Sequence, residues 1–140
     1  MHLLEMSAGL MLASLLLSAG VLCYASLARA QALKFEARRL KAVLEQLSID
    51  ALQREMAIVV ELEERGYMAR KRNASGGVLL KYCIKEPVRI TSVSRGTRLI
   101  TFYPSGVITP ATIVLGDKEN LCRVTISLRG RVSMRCGSER

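Results

Sequence analysis

The sequence predicts an α+β protein: one long N-terminal helix packed on a small antiparallel β-sheet domain. Three observations carry this expectation. Residues 6–28 hold no charged side chain. Residues 30–56 hold neither Gly nor Pro and place Leu33, Ala37, Leu40, Leu44, Leu47 and Ala51 at spacings of three and four, the period of one helical face. Beyond Met56 the pattern changes to short β-branched runs broken by turn residues, which marks antiparallel strands. The expected divisions are an apolar transmembrane or assembly helix over 1–28, its amphipathic continuation over 29–56, and a β-rich globular domain over 57–140.

The apolar run comes first. Its 23 residues make a helix of roughly 34 Å at 1.5 Å per residue, enough to cross a bilayer core. A secretory signal would carry basic residues ahead of a shorter apolar stretch; this run has none before it and continues into more helix, so it reads as a retained anchor. One acid, Glu5, stands at its mouth. A carboxylate facing hydrocarbon is costly, so a partner is expected for it.

Charge is unevenly distributed. All 21 Lys and Arg residues lie at Arg29 or later. Residues 29–64 carry 6 bases against 7 acids, whereas residues 65–140 carry 15 against 4. A basic surface of this kind keeps a domain soluble and attracts polyanions: nucleic acid, anionic lipid or acidic protein.

In the distal part, strands are expected at residues 57–62, 78–85, 88–93, 98–103 and 111–115, with residues 107–109 continuing past the turn at Pro104, Ser105 and Gly106. Residues 63–77 are polar and basic and read as a loop or loosely held hairpin. Residues 116–120 read as a turn; their Asp, Glu and Asn oxygens are too few, with Lys118 among them, to make a calcium loop.

Residues 121–136 alternate strictly on both sides of Gly130. Cys122, Val124, Ile126, Leu128, Val132, Met134 and Cys136 form one face, expected to be buried. Arg123, Thr125, Ser127, Arg129, Arg131, Ser133 and Arg135 form the other. A three-residue loop with Gly130 in the left-handed region pairs residues whose numbers add to 258. That register puts Cys122 opposite Cys136 and Arg123 opposite Arg135. A Cys122–Cys136 disulfide is therefore the favoured pairing, with Cys83 as the competing partner; Cys23, inside the apolar run, is a packing residue.

Nothing in the sequence assembles a reaction centre. The single histidine, His2, lies at the edge of the apolar run, which leaves no metal-ligand set and no Ser-His-Asp arrangement. The expectation is a non-enzyme without cofactor or metal.

The order of elements, with Met1-His2-Leu3-Leu4-Glu5 at the head, resembles the type IV pilin and pseudopilin superfamily. Members begin, after leader cleavage, with an N-methylated residue, usually Phe, followed by Thr, two aliphatic residues and Glu; Leu3, Leu4 and Glu5 match by position. Leu99-Ile100-Thr101-Phe102-Tyr103-Pro104-Ser105-Gly106 and Val124-Thr125-Ile126-Ser127-Leu128-Arg129-Gly130-Arg131-Val132 look like the hallmark segments of H-type minor pseudopilins and FimT-like minor pilins. The resemblance covers nearly the whole chain.

It implies a minor subunit of a type II secretion pseudopilus or a type IV pilus, at or near the tip. The partners it implies are other pilin-like subunits, an inner-membrane assembly platform and a prepilin peptidase. It also implies an inner-membrane anchor with the globular domain periplasmic. Met1 would supply an N-terminal amine that the Glu5 carboxylate of a neighbouring subunit neutralises in the apolar filament core.

The departures are Met1 in place of Phe, the absence of a leader ahead of Met1, which reads as a mature N-terminus or a truncating start, and Val21 and Leu22 in place of a kinking proline. Basic residues after the run, from Arg29 to Lys41, would by the positive-inside rule place the domain in the cytoplasm; the leader of a pilin restores the balance. Some FimT-like pilins bind DNA, which makes Arg123, Arg129, Arg131 and Arg135 a candidate DNA or anion site. An unrelated single-pass membrane protein with a basic cytoplasmic domain is the remaining alternative.

Overall fold

A computed structural model describes residues 2–73 and 76–138. Met1, half of the expected assembly pair, lies outside the described residues. The chain forms two compact units, residues 1–31 and 32–140.

Helix α1 runs His2–Gln53. In its first unit the large side chains, Leu3, Leu10 and Leu16 among them, are 85, 70 and 74% exposed. The hydroxyls of Ser7, Ser14, Ser18 and Ser26 donate to carbonyls three residues back at 2.8–2.9 Å. In hydrocarbon that satisfies each donor within the helix itself.

In the second unit, α1 buries Leu33, Glu36, Ala37, Leu40, Leu44, Leu47 and Ala51, the expected stripe with one acid added. The helix ends without Gly or Pro. Glu55 takes a left-handed φ of 51°, Glu55 N–H donates to Leu52 C=O at 3.4 Å, and Met56 N–H donates to Ala51 C=O at 3.3 Å. These two bonds form a Schellman cap, with Glu where Gly is usual.

Among the described residues eight strands follow: β1 Ile58–Glu63, β2 Gly66–Lys71, β3 Val78–Cys83, β4 Arg89–Val93, β5 Leu99–Phe102, β6 Ala111–Gly116, β7 Asn120–Ile126 and β8 Val132–Ser138, with a 3-10 turn at Ser94–Gly96 between β4 and β5. All pairings are antiparallel. They make two four-stranded sheets, in the orders β3-β2-β1-β5 and β4-β6-β7-β8, and Phe102 bridges to Ile108 across the connection from β5 to β6. The core is shared by α1 (Leu40, Leu44), β1 and β5 (Ile58, Val60, Ile100, Phe102) and β6 and β7 (Ile113, Leu115, Val124, Ile126), each at most 1% exposed.

Two expectations are refined. Residues 66–71, within the expected loop or loose hairpin, form an interior strand of the first sheet. Only Gly66, Tyr67 and Ala69 of β2 are buried, so the segment hides little apolar area and reads as polar. Leu128, placed on the buried face of the hairpin, is 55% exposed. It lies in the connection between β7 and β8, where alternation no longer decides which way a side chain faces.

Candidate functional site

Glu5 lies in the first turns of α1, with its Oε2 3.8 Å from His2 Nδ1. Both side chains are exposed. The spacing i, i+3 puts the two on one helical face.

The β7–β8 hairpin has the register read from its sequence: Cys122 pairs with Cys136, Arg123 with Arg135, Thr125 with Ser133 and Ile126 with Val132. Ser127 and Arg131 close the turn through an N–H to carbonyl bond of 2.9 Å, and Gly130 takes φ 87°. Cys122 and Cys136 form a disulfide with Cα atoms 4.0 Å apart. Cys122 is fully buried on β7, where it pairs with Leu115 of β6 in the same sheet, while Cys136, expected on the buried face, is exposed because β8 is an edge strand. Cys83, the competing partner, is a free exposed thiol, as is Cys23.

The four candidate arginines are all exposed. Arg123 and Arg135 stand directly opposite each other on the outer face of β7 and β8, and Arg129 and Arg131 flank Gly130 in the turn. Like charges directly opposite on a sheet are destabilising. Three arginines elsewhere in the domain are matched to acids: Arg65 with Glu86 at 3.3 Å, Arg70 with Glu61, and Arg89 with Glu64 at 3.3 Å. Among the described residues, none of the four hairpin arginines has such a partner.

Sequence reasoning missed one cluster. Glu36, 4% exposed, accepts hydrogen bonds at 3.0 and 3.1 Å from the Tyr82 hydroxyl. Arg39 stacks its guanidinium 4.1 Å from the centre of the Tyr82 ring, a cation–π contact. Tyr67 tilts against Tyr82 with ring centres 5.3 Å apart. Burial, reinforced by the neighbouring Tyr82, pushes the Tyr67 phenol up to about 12. Tyr82 is raised by burial and then by its bond to Glu36. The available signal was Glu36 itself, three residues after Leu33 and therefore on the edge of the apolar stripe. No three His, Cys, Asp or Glu side chains gather into a metal-ligand group among the described residues.

The fold built from these parts is pilin-like. The minor pseudopilin EpsH from the type 2 secretion system of Vibrio cholerae superposes with a TM-score of 0.64 at 19% identity, covering 74% of this chain and 95% of that one. The type IV minor pilin FimU of Pseudomonas aeruginosa gives a TM-score of 0.62 at 20% identity, covering 74% and 92%. No curated protein sequence matches the chain. The model of the family described as type II transport protein GspH matches residues 36–130. The chain belongs to that family.

Proposed function

We propose that the chain is a non-catalytic minor subunit of a type II secretion pseudopilus or type IV pilus, incorporated at or near its tip. One observation carries this reading: the first unit of α1 is exposed and apolar all round, with a single acid at its head. A helix of this composition needs hydrocarbon or other apolar helices around it. The bilayer supplies the first before assembly, with the domain on the periplasmic side, and neighbouring subunits supply the second afterwards. Glu5 then accepts the Met1 amine of the adjacent subunit, pairing two charges that would be stranded separately in an apolar core. Prepilin peptidase and an inner-membrane platform are the processing and assembly partners this reading requires.

The test is incorporation. Native protein from sheared filaments should carry a methylated Met1, and Glu5→Gln should accumulate in the membrane while its filament fraction falls at least tenfold, because one charge of a buried pair is left alone. A Glu5→Gln chain that assembles normally would remove Glu5 from the mechanism.

A second reading is favoured by the opposed Arg123 and Arg135 and by Arg129 and Arg131, which have no carboxylate partner among the described residues: a filament subunit that also holds DNA. Each guanidinium can hold a phosphate by two hydrogen bonds. DNA retention should then fall steeply with salt and be lost when the four arginines become Gln; retention independent of either rejects it. Family membership and the disulfide both speak against an unrelated protein with a reduced cytoplasmic domain.

A further inference from the structure

The turn at Gly106, which leads from the first sheet to the second, and the turn at Gly130, between β7 and β8, meet at the C-terminal end of α1. Gly106 and Gly130 take φ values of 90° and 87°, and Ile108 N–H donates to Leu128 C=O at 3.2 Å. A methyl on Gly130 would stand 3.6 Å from Ser48 Oγ and 3.9 Å from the Gly106 carbonyl, and one on Gly106 would stand 3.7 Å from Leu52 Cδ2. Both turns need glycine for their φ, and these distances are those of ordinary packing against the helix.

That closure leaves a group of apolar side chains outside. Leu52, Tyr103, Val107 and Leu128 are 48, 38, 42 and 55% exposed. Around them lie three exposed cations, Arg72, 5.8 Å from the Tyr103 ring centre, and Arg129 and Arg131 in the turn that carries Leu128, against one exposed acid, Glu55, just beyond Leu52. None of the three cations has a carboxylate partner among the described residues, unlike Arg65, Arg70 and Arg89. An apolar centre inside a polar rim is the anatomy of a protein interface, and the rim fixes the sign of its complement.

We infer that this end of the domain is a docking surface for a neighbouring pilin-like subunit that presents an apolar centre rimmed by Asp and Glu. That the partner is a pilin-like subunit rests on the filament reading above; its chemistry rests on the patch alone. Two copies of this chain meeting through the patch would oppose basic rim to basic rim. DNA would gain nothing from Leu52, Val107 and Leu128, and the single ring available for stacking, Tyr103, already lies beside Arg72.

The experiment places the photocrosslinker p-benzoyl-phenylalanine at position 128 of the full chain, in cells carrying its filament machinery, and identifies adducts by mass spectrometry. A light-dependent adduct to a different pilin-like subunit is expected, with none from the same probe at Thr125 on the outer face of β7. R129E/R131E should reduce the adduct about tenfold, and so should R72E, which lies outside the hairpin. Formation of the Cys122–Cys136 disulfide, followed by thiol labelling, reports that each variant folds. No adduct, an adduct chiefly to a second copy, a nuclease-sensitive adduct, or one indifferent to the charge reversals overturns the inference. Wild-type chain missing from filaments sinks the functional reading; chain present in filaments without the position-128 adduct sinks this inference alone.

Discussion

In residues 2–31 of α1 the leucines stand exposed, whereas in residues 32–53 Leu33, Leu40, Leu44 and Leu47 are at most 5% exposed. Each half also carries one notable acid. Glu5 is exposed near His2; Glu36 is buried and hydrogen-bonded to Tyr82. A single helix thus meets two different apolar environments. The second half is solvated by its own domain, and its acid is satisfied within the chain. The first half must find its surroundings outside the chain, and the proposed partner of Glu5 lies there too. Stability should therefore depend on the second half and assembly on the first.

The largest test of that division is paired truncation. Leu40→Ala should destabilise the domain by about 2–5 kcal/mol in urea unfolding, through lost burial and a cavity. Leu16→Ala should leave the same transition within about 0.5 kcal/mol. Equal losses would show that the two halves share one cooperative core. Next comes the disulfide, which closes a loop spanning a separation of 14 residues. Cys136→Ser should lower domain stability by about 3 kcal/mol while leaving the helical signal of residues 2–31 in detergent intact.

The two acids separate further with Tyr82→Phe. It removes the hydroxyl donor of buried Glu36 and should cost about 1–3 kcal/mol, whereas Glu5→Gln should not shift the unfolding curve. The same cluster sets an alkaline limit. Tyr67 has a folded pKa near 12 against an ordinary 10.0, so its contribution is fully present below pH 10 and is lost as pH rises to 12. Unfolding followed against tyrosinate absorbance checks this, and a midpoint flat across that window would contradict it. The smallest effect is a gain. Glu55 pays for a left-handed φ, and Glu55→Gly should stabilise the helix end by about 0.5–1 kcal/mol, seen as a modest rise in thermal midpoint.

Much of this was legible because local patterns and burial agree. The stripe from Leu33 to Ala51 follows from side-chain period, and the hairpin register that pairs Cys122 with Cys136 follows from that period together with the Gly130 turn, since a one-residue slip would turn each buried face outward. The helix end was harder, because Glu55 does the work that glycine usually announces. Strand β2 was partly hidden, because Glu61 and Arg70 pair across β1 and β2 on a half-buried face and make an interior strand look like a basic loop. Glu36 and Tyr82 lie 46 residues apart, and no local pattern couples positions so distant.

What the sequence determined by itself is whatever depends on spacing along the chain: the apolar run headed by Glu5, the amphipathic stripe, the alternation around Gly130 and hence the opposed cysteines and arginines. What only the tertiary structure decided is whatever depends on which segments meet. That includes the division of eight strands into two sheets, the burial of Glu36 under Tyr82, the choice of Cys83 as a free thiol, and the meeting of the Gly106 and Gly130 turns at the end of α1. The physical reason is the same in each case. Periodicity fixes the face on which a residue lies, but the partner on that face is chosen by packing among segments that the chain order keeps apart.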